Sequence, residues 1–173
     1  YTQDLEYYAA RDPLTDLFNQ RVFNDMMAYE IKRAQRHNYS FALMVIDCDN
    51  FKPINDNFGH AFGDKFLQNI ANILEEEKRN EDIVARYGGD EFTIILPECD
   101  ENGALTVAQR ISKRIEKEKL SAPDGSKVGM TISAGICIYP DHTLSQKDMF
   151  IIADSMMYQA KEEGKNGIKI PNE

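Results

Sequence analysis

Apolar residues recur along this chain in two rhythms, one spaced at three to four residues and one continuous over short runs, and their alternation orders the elements. Val22, Phe23, Met26, Met27 and Ile31 predict a helix over about residues 20–35. Phe41 to Ile46 is an unbroken apolar run of strand length, the pattern of a strand covered on both faces, and it ends abruptly in Asp47-Cys48-Asp49. Residues 50–59 read as a turn-rich connection. A second helix, about 61–78, carries Phe62, Phe66, Leu67, Ile70, Ile73 and Leu74. Ile83 to Tyr87 and Phe92 to Leu96 flank Gly88-Gly89, predicting a β-hairpin whose glycines adopt positive φ and whose tip presents Asp90 and Glu91. Beyond it come a helix over about 102–119, a turn at Pro123-Asp124-Gly125, a strand over 128–139, a helix over about 146–163 and a short strand, Ile168 to Ile170. No internal repeat interrupts this order.

The order is that of an α/β (α+β) domain in which helices flank a mixed central sheet, and a ferredoxin-like βαββαβ core fits it. In that core the first strand and the hairpin are neighbours, so Asp47 is expected near Asp90. With 173 residues the chain suits one domain able to bury roughly 70% of its unfolded surface. Residues 1–11 read as the end of an upstream linker or signalling helix, and 12–173 as the domain proper.

Charge narrows the function. The chain carries 20 Lys and Arg against 29 Asp and Glu, a net −9, which argues against nucleic acid or an anionic membrane face as partner. An anionic small substrate therefore needs locally placed cations. Cys48, Cys99 and Cys137 are odd in number, far apart and set in apolar stretches, suggesting reduced thiols in a cytoplasmic protein rather than disulfides or a zinc site. No apolar run is long enough to span a bilayer, although a region upstream of the domain is free to be membrane-anchored.

Acids converging at strand ends repel one another unless a proton or a cation neutralises them. Oxygen-only ligands favour Mg2+ or Mn2+, and an ion so held also bridges triphosphate oxygens. The plain structural alternative is that Asp47 and Asp49 cap the turn after the strand, an account that suits Asp49 better than Asp47.

Taken together, Asp47 to Asp64 (Asp-Cys-Asp-Asn-Phe-Lys-Pro-Ile-Asn-Asp-Asn-Phe-Gly-His-Ala-Phe-Gly-Asp) and Arg86-Tyr87-Gly88-Gly89-Asp90-Glu91-Phe92 closely resemble the GGDEF family of diguanylate cyclases. The resemblance extends from Asp12-Pro13-Leu14-Thr15-Asp16-Leu17-Phe18-Asn19 and Arg21 to Ser133-Ala134-Gly135-Ile136 and Ala160-Lys161-Glu162-Glu163-Gly164-Lys165-Asn166. It implies a palm-like fold and a homodimeric enzyme joining two GTP into cyclic di-GMP. Each ribose 3′-hydroxyl would attack the other GTP's α-phosphate, releasing two pyrophosphates. By position, Asp47, the Cys48 backbone carbonyl, Asp90 and Glu91 match metal ligands, and Asp90 or Glu91 the base. Asn55 and Asp64 match guanine readers, and Phe51, Lys52, Lys161 and Lys165 phosphate contacts. Lys165 stands where arginine is commoner, which forfeits a bidentate grip. Arg79, Asp82 and Arg110 match an inhibitory site for the product. The resemblance also implies an upstream sensory or receiver domain. A rival reading from another class is a silent GTP- or cyclic di-GMP-binding regulatory module, but such relatives usually have a damaged hairpin. A polymer nucleotidyltransferase would need the basic groove that this acidic chain lacks.

Overall fold

The computed structural model describes residues 9–172. Most of the leading segment read as the end of an upstream helix lies outside the described residues, of which Ala9 and Ala10 are helical. The elements run α1 (Gln20–His37), β1 (Phe41–Cys48), α2 (Phe51–Phe58), α3 (His60–Glu77), β2 (Ile83–Arg86), β3 (Glu91–Leu96), α4 (Glu101–Lys117), β4 (Leu120–Ser121), β5 (Lys127–Val128), β6 (Ile132–Tyr139), α5 (Gln146–Glu162) and β7 (Ile168–Lys169).

Local chemistry sets several boundaries. Asn19, Asp100 and Ser145 start α1, α4 and α5 by accepting bonds from the backbone N–H of Val22, Gly103 and Asp148, which would otherwise lack partners. Asn38, in the left-handed region, ends α1 by returning its N–H to the Ala34 carbonyl.

The main sheet has the order β2-β3-β1-β6-β7, with every pairing antiparallel except β6 with β7. Its first four strands are the ferredoxin-like core expected from the sequence. β1 is central and buried on both faces because alternate residues serve two cores. Ala42, Met44, Ile46 and Cys48 face α3 and α4, where Phe66, Ile70, Leu74, Val107 and Ile111 pack. Phe41, Leu43 and Val45 face α1 and α5 through Phe23, Met27, Met149 and Met157.

Two expected boundaries differ. Residues 50–59 hold a helix, α2, rather than turns. Pro53 falls in its first turn, where a missing N–H is harmless, while buried Ile54 and half-buried Phe51 and Phe58 tie it to the core. The strand read over 128–139 is broken at residues 129–131. β5 pairs with β4 in a separate two-stranded ribbon, and Thr131 turns its carbonyl to Asp49 N–H at 2.9 Å before β6 begins.

One glycine sets how closely a helix approaches the sheet. A Cβ at Gly135 in β6 would stand 1.9 Å from the Ala153 carbonyl oxygen and 2.4 Å from the Met157 nitrogen, both backbone of α5. Such atoms cannot rotate away. Gly135→Ala should therefore destabilise the domain by about 3 kcal/mol or more by forcing α5 outward, lowering the urea midpoint; an unchanged midpoint would contradict this backbone contact.

Candidate active site

The pairing of β1 with β3 builds one end of the sheet into an acidic corner. Asp47 lies opposite Glu91 in the register, and the Cys48 N–H donates to the Asp90 carbonyl at 3.1 Å. Adjacent residues of a strand face opposite ways, which raises the question of how Asp90 and Glu91 both reach Asp47. Asp90 lies outside β3, in the bend that precedes it, and so escapes the alternation.

That bend is not the tight turn expected. Neither Gly88 nor Gly89 has positive φ. Instead, Tyr87 N–H and Gly88 N–H both donate to the Glu91 carbonyl, at 2.8 and 3.2 Å. The Arg86 guanidinium donates to the carbonyls of Gly88 and Gly89 and also grips both carboxylate oxygens of Asp12. A side chain at Gly89 would meet no heavy atom within 4 Å, so the glycine leaves the tip bare rather than satisfying a strained backbone.

Burial is the largest influence on the acids. It raises the Asp47 carboxyl, helped by the charge of Asp90 and opposed by Lys161, from 3.8 to about 7. Glu91 is likewise pushed up to about 7, by burial and then by the charges of Asp154 and Asp90. Asp154, on α5, is a contributor that sequence reasoning missed, since a lone acid on an amphipathic helix gives no signal. The Asp47 Oδ1 atom is buried without a hydrogen-bond partner.

Asp49, two residues on, is its opposite. Its side chain is fully buried, yet it accepts from Thr131 Oγ1, Ser133 Oγ, Lys161 Nζ and Asn166 N–H at 2.7–3.1 Å. Burial alone would raise its pKa, but these bonds outweigh that and hold the carboxyl below its ordinary value. Asp49 is thus a hub joining β6, α5 and the segment after α5, and not the cap of a turn. Lys161, expected at the phosphates, points inward, 3.1 Å from the Cys48 carbonyl and 3.8 Å from Asp47 Oδ2. Lys165 donates to Asn50 Oδ1 at 2.7 Å from a left-handed backbone position.

Beside this corner, α2 presents Lys52, exposed and loosely paired with Asp56, and half-buried Asn55. The Asn55 amide oxygen is buried without a partner and packs where a Cβ of Gly63 would lie, 1.8 Å away, so only glycine at 63 admits it. Asp64 follows on α3 and is exposed. Arg79 and Asp82 lie elsewhere, and theirs is no surface ion pair. The Asp82 side chain has no exposure, and it accepts from the Arg79 N–H, Nε and Nη2 at 2.7–3.2 Å, while Arg79 also donates to the Pro97 carbonyl. Arg110 bonds Glu77 through both side chain and carbonyl.

The donors fit a hard divalent ion in kind: the carboxylates of Asp47, whose Oδ1 is buried without a partner, and of Asp90, and a peptide carbonyl at Cys48. Among the described residues no three His, Cys, Asp or Glu side chains converge tightly enough to hold an ion by themselves. Mg2+ is commonly held by one or two carboxylates with water and substrate phosphates completing the shell.

A ferredoxin-like sheet with acids at the end of its central strand and on the adjoining bend defines a class of α/β domains with an acid-lined corner. The model for the GGDEF domain, described as diguanylate cyclase, matches residues 9–167, and the chain belongs to that family. It is 38% identical over 159 residues to diguanylate cyclase DosC of Escherichia coli K12, covering 92% of this chain and 34% of that protein. The chain thus spans about a third of that relative's length. The GGDEF domain of YfiN (TpbB) from Pseudomonas aeruginosa superposes with a TM-score of 0.89 at 35% identity, covering 94% of each chain. The coiled coil and GGDEF domain of DgcB from Caulobacter crescentus, solved with c-di-GMP, gives 0.93 at 25% identity, covering 98% of this chain and 90% of that one.

Asp47 and Asp49 should respond oppositely to neutralisation. A carboxyl raised on folding contributes stability below its unfolded pKa and loses it as pH climbs through the folded value, so metal-free protein should weaken between about pH 4 and 7. At pH 8 without metal, Asp47→Asn should raise the melting temperature by about 3 °C. Asp49→Asn, which leaves Lys161 without its charge partner and replaces one acceptor facing the Thr131 and Ser133 hydroxyls and the Asn166 N–H, should cost about 3 kcal/mol. Thermal denaturation in EDTA compares the two; equal losses would refute the distinction.

Proposed function

We propose that this chain synthesises cyclic di-GMP from two GTP, and the observation that carries the reading is the buried, unpartnered Asp47 oxygen at the end of β1, on a carboxyl that also feels the charge of Asp90. Asp47, Asp90 and the Cys48 carbonyl would hold Mg2+ or Mn2+, with Glu91 in reach. When bound, the ion supplies positive charge for the triphosphate and the reacting phosphorus. The protein's own residues orient and deprotonate. Asp90 or Glu91 takes the proton of the attacking 3′-hydroxyl, and Glu91, pushed up to about 7, has the poise a general base needs near neutrality.

Guanine selection would fall to Asn55 and Asp64. The unpartnered Asn55 oxygen and the exposed Asp64 carboxylate are acceptors, and guanine offers N1–H and N2–H where adenine has no such donor pair. Phe51 and Lys52 lie at the start of α2, and with Lys165 and Lys161 they would serve the phosphates. Because each active centre presents one GTP, turnover requires two copies of the domain. The silent-module reading is weakened by the intact acids and bare glycine bend.

Incubation of a dimeric preparation with GTP and Mg2+ should yield the cyclic dinucleotide and pyrophosphate, with ATP giving neither. GTP binding without product would favour the silent module. Asp90→Asn should reduce turnover by about 100-fold or more while leaving guanine nucleotide binding within about threefold; parallel loss of both would mark the residue as structural.

Product inhibition is assigned to Arg79, Asp82 and Arg110. With the Asp82 carboxylate already enclosed by Arg79, its part is to orient that guanidinium unless the turn opens, leaving the arginines to meet guanine and phosphate. Arg79→Ala should raise the inhibitory concentration of product at least tenfold, read from initial rates; an unchanged value would remove these residues from inhibition.

A further inference from the structure

Lys161 occupies a place its assignment to the phosphates does not explain. Its ammonium lies 3.1 Å from the Cys48 carbonyl and 3.1 Å from Asp49 Oδ1, with Asp47 Oδ2 at 3.8 Å. Two of these three groups, Cys48 O and Asp47, are the ones assigned to the divalent ion. Asp49 is not free to move toward any ion, because Thr131, Ser133 and the Asn166 N–H hold its other lone pairs. The side chain of Lys161 is itself one-fifth exposed, so its head has a way out. It extends from the last turn of α5, whose position against β6 is set by the backbone contact at Gly135.

We propose that Lys161 is a tethered counter-cation that competes with the divalent ion for the Cys48 carbonyl and Asp47. Asp49 is the positioning residue that parks it there. This rests on the metal reading given above for Asp47 and Cys48 and adds a control to it. A bare divalent ion meets an ammonium already balancing the acids, whereas an ion arriving with a triphosphate brings the anionic oxygens that draw the ammonium away. The same lysine thereby has two stations, the acids without nucleotide and the phosphates with it. The site is biased toward loading ion and nucleotide together. A point charge on a flexible stem suits the exchange, where a planar guanidinium would have to break and remake a fork of bonds.

The test is the affinity for Mn2+ in the absence of any nucleotide, read from the loss of the free-ion EPR signal. Lys161→Met, which keeps the stem and removes the charge, should bind Mn2+ roughly tenfold more tightly than the natural chain. Asp47→Asn serves as the control for the metal reading and should bind at least tenfold more weakly than the natural chain. Unchanged or weaker binding by Lys161→Met, with the Asp47→Asn loss present, would overturn the competition and leave the metal site standing. Equal binding by all three chains would overturn the metal reading itself. If the buried Asp49 left by Lys161→Met prevents folding, the pair Lys161→Met with Asp49→Asn removes both charges together and carries the same expectation.

Discussion

Carboxylates placed at the end of a strand buried on both faces must be balanced, and that requirement organises this end of the molecule. β1 and the residue after it deliver Asp47, largely buried, and Asp49, fully buried, into surroundings where water screens them poorly. The domain answers the two demands differently. Asp49 receives a full set of donors from three segments distant in sequence, whereas Asp47 is left with an empty oxygen, an acidic neighbour and one lysine at 3.8 Å.

That contrast sets a satisfied carboxylate beside an unsatisfied one within three residues. The satisfied carboxylate fixes β6, α5 and the loop after α5 relative to one another, so it contributes to the fold. The unsatisfied one is raised by burial and then by the charge of Asp90, so its charged form is disfavoured in the folded state. Glu91, pushed up by Asp154 as well as Asp90, extends the same pattern across the β1–β3 ladder.

Most of the architecture was readable from periodicity, because β1 is an uninterrupted apolar run and the helices carry clear three-to-four-residue stripes. What could not be read came from contacts between distant residues. The polar string at 50–59 hid a helix whose few apolar positions, Phe51, Ile54 and Phe58, are stabilised by tertiary packing rather than by a long stripe. The break before Ile132 follows from Thr131 bonding Asp49, 82 positions away in the chain. The acids of the corner were recognisable from their motifs, but the roles of Asp49, Asp154 and the inward Lys161 depend on which strand lies beside which helix. Gly88-Gly89 was located correctly and explained wrongly. A glycine pair invites a positive-φ turn, whereas here bareness and the grip of Arg86 on both carbonyls account for it.

The reach of Arg86 has a mechanical corollary. One guanidinium holds the carboxylate of Asp12, 74 positions away in the chain, on one side and the peptide oxygens of Gly88 and Gly89 on the other, so it pins two distant turns together. Residues 9–19 are thereby fastened to the bend that carries Asp90, through a strut one side chain long.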